Sequence, residues 1–175
     1  MLRGITAHAA VALTALVGWI PPASAGAVRV GDPLPLLALP DLRGTPVPLT
    51  ATRGRVVVVD FWASWCQACR EALPALDAIS RRHAAAGLTV IAINIDKTAA
   101  AGERFLQDHL PVPAMTMLHD PGGGTLARFG APGMPSLYIA DRNGVVRLVE
   151  AGYQPGALTT VEQRIVEMLS RGDNE

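Results

Sequence analysis

Cysteine is almost absent from this chain. Among 175 residues it occurs only at Cys66 and Cys69. That excludes a scaffold stapled by disulfides, because a two-residue spacer restrains little of the unfolded chain. Net charge is missing as well: 15 Lys+Arg balance 15 Asp+Glu. Lysine is scarce, and there is no basic block, arginine run or interleaving of aromatic and basic residues, so nothing in the sequence suits a nucleic-acid partner. Aromatics make up only 5% of the chain. The histidines, His8, His83, His109 and His119, are scattered over different elements without ligand spacing, so none is read as a metal ligand. Internal repeats and long linkers are lacking. The apolar run from Ala9 to Ile20 is too short and too alanine-rich for a membrane span.

What is present begins with an export-like leader. Arg3 supplies the positive start, Ala9 to Ile20 the apolar core, and Ala23-Ser24-Ala25 a small-residue cleavage site before Gly26. The expected division is a signal peptide over residues 1–25 and one domain over residues 26–175. An uncleaved N-terminal anchor is the alternative. No cysteine lies near the cleavage site, which argues against a lipid anchor. Export places the mature chain where disulfides persist, and there a lone pair of cysteines is more suited to use than to reinforcement.

The chain is organised around Val56 to Pro74, VVVVDFWASWCQACREALP. A buried valine-rich strand runs into a short turn, Ala63-Ser64-Trp65. Apolar residues Ala68, Ala72, Leu73, Leu76 and Ile79 then recur at helical spacing. The spacing predicts a helix from about Cys66 to Ala86, ended by Gly87. Cysteines three apart at a helix start face the same way and close a small disulfide ring. The first lies where free backbone N–H groups and the positive helix end favour thiolate over thiol. Cys66 is therefore the expected nucleophile, and Cys69, one turn deeper, the resolving thiol. Asp60 is a carboxylate within the strand, and burying one is expensive. Burial would raise its pKa and make it a candidate to move the Cys69 proton. The alternative is a strand-end Asp hydrogen-bonded to the turn.

Strand and helix alternate along the rest, which predicts an α/β sheet. Expected elements are a hairpin turning at Asp41-Leu42-Arg43-Gly44, strands over 56–62, 88–95 and 115–118, and helices over 98–109 and 125–129. A final hairpin, 136–140 with 145–150, turns at Asn143-Gly144. A closing helix over 156–170 puts Leu158, Val161, Ile165, Met168 and Leu169 inward.

VDFWASWCQAC followed by Pro74 resembles the thioredoxin superfamily, and more narrowly its extracytoplasmic TlpA/ResA/DsbE-type thiol-disulfide reductases. GDPLPLLALPDLRGTPVPL before the motif and GMPSLYIADRNGVV after it extend the likeness from about Val30 to the C-terminal helix. The resemblance implies a thioredoxin-like fold: a central mixed β-sheet flanked by helices, an N-terminal β-hairpin capping the sheet edge, and a central strand–helix insert between Asp96 and Ala131. It also implies that the Met134-Pro135 bond is cis and faces the disulfide, opening a backbone edge where a substrate strand pairs with Met134. Without the resemblance, Pro135 reads as an ordinary turn proline. Candidate substrate-contacting residues are Trp65, Gln67, Ala68 and Met134. For Trp65, as for Trp62, packing alone remains an open alternative.

Two departures from the family stand out. The usual proline before the second cysteine is Ala68 here. Related proteins often carry Glu three residues after that cysteine and Asn in the strand, whereas this chain has Ala72 and Asp60. Glu71 is adjacent, but one residue turns a helix by about 100°, so Glu71 reads as a surface charge.

The function implied is reduction of disulfides in exported proteins, of the cytochrome c maturation or copper-site assembly type. It would need no cofactor beyond the Cys66–Cys69 disulfide, and a membrane thiol–disulfide donor would supply electrons. Two alternatives stand beside it. One is a DsbA-like oxidant. The other is a Cu(I) metallochaperone, since two thiolates suit Cu(I). Haem attachment is disfavoured by Arg70, which stands where a His should follow the second cysteine.

Overall fold

The computed structural model describes residues 26–171, apart from residues 36, 49–51, 153 and 155. The expected signal peptide therefore lies outside the described residues. Among the described residues nine elements follow one another: β1 (Val56–Trp62), α1 (Cys69–His83), β2 (Leu88–Asn94), α2 (Ala99–His109), β3 (Thr116–His119), α3 (Gly124–Phe129), β4 (Ser136–Ala140), β5 (Val146–Ala151) and α4 (Ala157–Arg171). The strands form one mixed sheet in the order β3-β2-β1-β4-β5. β1 runs parallel to β2, and β2 to β3; β4 is antiparallel to both β1 and β5.

β1 lies at the centre because its residues tolerate burial on both faces. Four β-branched valines open it, and all seven of its residues are buried. Alternation divides them. Val56, Val58 and Trp62 belong to one core with Leu73, Leu76 and Ile79 of α1, Phe105 of α2, and Leu158, Val161, Ile165 and Leu169 of α4. Val57, Val59 and Phe61 belong to a second core with Phe129 and Tyr138, covered by Val28, Leu34, Leu37, Leu39 and Val47 of the N-terminal segment. Phe61, Phe129 and Tyr138 meet edge to face, with centroids 4.9–6.1 Å apart.

The ends of α1 differ from the expectation. The helix starts at Cys69 rather than near Cys66, and it stops at His83. Residues 84–87 instead make a turn, in which the Gly87 N–H donates to the Ala84 carbonyl at 3.2 Å. Gly87, at φ +104°, reverses the chain into β2. The other elements fall within a residue or two of their expected bounds.

Among the described residues the N-terminal hairpin is reduced to a turn closed by one bridge, Pro40 with Pro46. Proline has no N–H to extend a ladder. The Asp41 carboxylate closes the turn by accepting the N–H groups of Arg43 and Thr45, each at 2.8 Å. Upstream, Gly31 donates to the Val146 carbonyl, and the Val146 N–H donates to Asp32, so this segment covers the edge at the start of β5. Between β2 and β4, α2, β3 and α3 form the expected insert. Its α2–β3 loop is tied to α1 by buried Asp77, which accepts the Ala114 N–H and pairs with Arg81.

Candidate active site

The chain leaves β1 at Trp62 and reaches Cys66 through a loop held from below. The Ser64 N–H and hydroxyl both donate to the Asp96 carboxylate, at 3.0 and 2.9 Å. Asn94 donates to the same carboxylate at 2.8 Å and accepts the Asp96 N–H at 3.2 Å. The Ile95 N–H meets the Trp62 carbonyl at 3.0 Å. Asn94 and Asp96 are buried, so the loop rests on a satisfied polar network, which rigidifies what it holds. The sequence reading passed over this network. The signal was available: Asn94 and Asp96 are polar residues closing an apolar strand, the same oddity that singled out Asp60.

Cys66 and Cys69 form a disulfide, S–S 2.06 Å, with Cα atoms 5.3 Å apart. Cys69 is the first residue of α1. Its N–H points at Cys66 Sγ, 3.2 Å away. The same N–H also donates to the Cys66 carbonyl at 3.2 Å, so it is shared between the two, and it lies at the positive end of the dipole. Once the disulfide opens, the same N–H stabilises negative charge on Cys66. Accessibility points the same way: Cys66 is 7% exposed and Cys69 only 1%.

Asp60 is 2% exposed and lies on the β1 face that meets α1 and α4. Burial pushes its carboxyl well above the ordinary carboxylate range, and a hydrogen bond from the Phe61 backbone opposes this in part. Asp60 lines a cavity of about 20 Å3 together with Ala72 and Leu76 of α1, Pro135, Leu137, Glu150, Gly152, and Ala157, Leu158 and Val161 of α4. Ala72 follows Cys69 by one helical turn, so the cavity and the inner cysteine share one face of α1. Ala72 and Asp60 thus face one space.

The Met134-Pro135 bond is cis. Ser136 pairs with Phe61 in the β4–β1 ladder, so Pro135 sits at the end of β1 from which the cysteine loop departs. Pro135 is buried and Met134 half-buried. Trp65 is 67% exposed, Gln67 is exposed, and Ala68 is half-buried beside them. Trp62 is core: it is fully buried, its ring lies 5.2 Å from that of Phe105, and its Nε1 has no partner among the described residues. Glu71 is exposed. The three described histidines have other company: His83 bonds Glu162, His109 lies tilted against Phe105, and His119 bonds the Asp96 carbonyl. Among the described residues no three His, Cys, Asp or Glu gather as metal ligands would.

A disulfide whose first cysteine keeps slightly more exposure than its second suits thiolate attack by one and resolution by the other. The class this defines is the thiol–disulfide oxidoreductases of thioredoxin-like fold, here of ResA/DsbE type. The chain belongs to the AhpC/TSA family, whose pattern matches residues 30–149. It is 34% identical over 125 residues to the thiol:disulfide interchange protein DsbE of Allochromatium vinosum, covering 70% of this chain and 67% of that one. It is 26% identical over 120 residues to the thiol-disulfide oxidoreductase ResA of Bacillus thuringiensis subsp. konkukian, covering 68% of each. A crystal structure named for a thiol:disulfide interchange protein DsbE from Chlorobium tepidum superposes with a TM-score of 0.76 at 36% identity, over 82% of this chain and 99% of that one.

Proposed function

We propose that this protein is an extracytoplasmic reductase of disulfides in exported proteins, working by Cys66 attack and Cys69 resolution. The observation that carries the reading is the Cys69 N–H aimed at Cys66 Sγ at 3.2 Å, with Cys66 the more exposed of the two cysteines. The reduced Cys66 thiolate attacks one sulfur of a substrate disulfide. That bond breaks, the departing sulfur takes up a proton, and a mixed disulfide with Cys66 remains. Cys69 then gives its proton to the Asp60 carboxylate and attacks Cys66 Sγ. The second substrate thiol leaves, and the Cys66–Cys69 disulfide closes. Two electrons have passed to the substrate, and a membrane thiol–disulfide donor restores the dithiol. Burial raises the Asp60 carboxyl above the ordinary carboxylate range, which makes it a better acceptor for the Cys69 proton.

In this reading Trp65, Gln67, Ala68 and Met134 contact the substrate, and the backbone beside Pro135 pairs with it. Residues 1–25 are an export signal cleaved after Ala25, and residues 26–175 are the exported thioredoxin-like domain. Among the described residues no helix is long and apolar enough to cross a membrane. The names of the ResA and DsbE relatives support the chemistry. The substrate class proposed with it is apocytochrome c or copper-site assembly proteins.

The test is Cys69→Ser, expressed with its leader in an exporting bacterial cell. It should accumulate as mixed disulfides through Cys66, resolvable by reducing agent and absent from the double variant Cys66→Ser/Cys69→Ser. Recovery of none would remove the resolving role from Cys69.

A further inference from the structure

The proposed cycle delivers a proton to Asp60 at each turnover, and that proton must leave a residue 2% exposed. The strand register shows where it can go. Asp60 pairs with Leu137 on β4, and Leu137 pairs with Glu150 on β5. Directly paired residues share a face of the sheet, so Glu150 stands on the face of Asp60, two strands out. Adding one wide and one narrow antiparallel pair puts their Cα atoms about 10 Å apart. The row ends differently on the other side. There Asp60 pairs with Ala92, and Ala92 with Met117, neither of which can carry a proton.

The space between the two carboxylates is the cavity described above. Its volume of about 20 Å3 has room for about one water, which needs roughly 10–15 Å3. The side chains around it from α1, β4 and α4, namely Ala72, Leu76, Leu137, Leu158 and Val161, are apolar. Asp60 and Glu150 are the only ionisable side chains among its described lining residues, and Glu150, half-buried on the edge strand, is the more exposed of the two. Beyond the lining, the Cys69 thiol is the titratable group on the α1 face that meets it.

We propose that Glu150 is the proton-relay residue that connects Asp60 to solvent through this cavity, acting on the resolution step through Asp60. The inference rests on the reading of Asp60 as the acid–base for Cys69. The proton lost by the Cys69 thiol passes to Asp60 and then, through one water, to Glu150 and bulk. The departing substrate thiolate takes its own proton from solvent, so no redox partner is added.

The test uses the full-length mature protein charged at Cys66 with 5-thio-2-nitrobenzoate at acid pH, where Asp60 holds its proton, and then jumped to higher pH; release at 412 nm reports attack by Cys69, which waits on Asp60 shedding that proton. In Glu150→Gln, release should slow about tenfold, less than the roughly 10²-fold or more typical of losing the base itself. Its pH profile should change shape, and Glu150→Asp should recover part of the rate. The first attack by Cys66, read in the Cys69→Ser background, should be unchanged by Glu150→Gln, as should the reduction potential. Release at the wild-type rate across the pH range, or equal slowing of both steps, overturns the relay. Asp60→Asn, run alongside, separates the two readings. If it slows release while Glu150→Gln does not, only the relay falls. If it too leaves release unchanged, the role of Asp60 falls and the relay with it.

Discussion

Asp60→Asn should make this protein more stable and less active, and the stability gain should depend on pH in a fixed direction. Asp60 is enclosed by β1, α1, β4 and α4, with its carboxyl pushed well above the ordinary range by burial. The folded chain therefore holds this proton to a higher pH than the unfolded chain, in which an Asp ionises near 3.9. Between those two values the native state binds more protons, so native stability falls as pH rises; above the folded value the full penalty remains. Asn carries no charge at any pH. The gain of the variant over the parent is thus constant below about pH 4. It then climbs by up to about 1.4 kcal/mol for each pH unit, the limit for one proton, and levels off once the folded carboxyl ionises. Urea unfolding of both oxidised proteins, in half-unit steps from pH 4 to pH 8, reads this directly. The same variant should resolve mixed disulfides roughly 10²-fold or more slowly, the exchange of stability for function expected at a strained site. A gain that stays flat with pH, or shrinks as pH rises, would refute the assignment of Asp60 as a buried, desolvated acid.

Two further substitutions test the scaffold around the site. Ala68 has φ −64° and ψ −28°, which suits proline. Ala68→Pro should therefore stabilise the chain by about 0.4–1 kcal/mol through its unfolded state. Even if that whole gain fell on one redox form, the potential would move by only about 20 mV. A loss of stability on denaturant titration would instead mean that the backbone of Gln67 rejects a following proline. Gly130 caps α3 at φ +65°, and a Cβ there would lie 2.3 Å from that of Ala27. Gly130→Ala should cost about 1–2 kcal/mol from the backbone alone. It should also loosen the Val28 N–H bond to the Phe129 carbonyl, which amide exchange at Val28 would report; unchanged exchange and stability would contradict that packing.

Much of this architecture was legible because local and global preferences agree. The four valines, the C-x-x-C pair and the Asn-Gly turn each point to one structure, and β1, the disulfide and the β4–β5 hairpin are found where they were expected. The start of α1 was misplaced by three residues because Ala68 already has helical dihedrals, so side-chain spacing continues through a turn that is not yet helix. Among the described residues the N-terminal hairpin shrank to one bridge because Pro40 and Pro46 occupy the paired positions. The cis bond at Pro135 came from family resemblance alone; nothing in the residues themselves distinguishes it from a trans turn. Glu150 could not be found from the sequence. Period-two alternation assigns it to a face, but only strand register places it in the row of Asp60. The Ser64–Asn94–Asp96 network is likewise a matter of loops meeting, although a polar residue closing a buried strand was a visible cue.

The most direct test is the reduction potential of the mature Cys66–Cys69 couple, read against glutathione and dithiothreitol buffers. A reductase fed by a membrane relay should lie near the thioredoxin end, about −270 mV. A value near −120 mV would mean that the pair donates its disulfide, contradicting the proposed direction of electron flow while leaving the thiol chemistry in place.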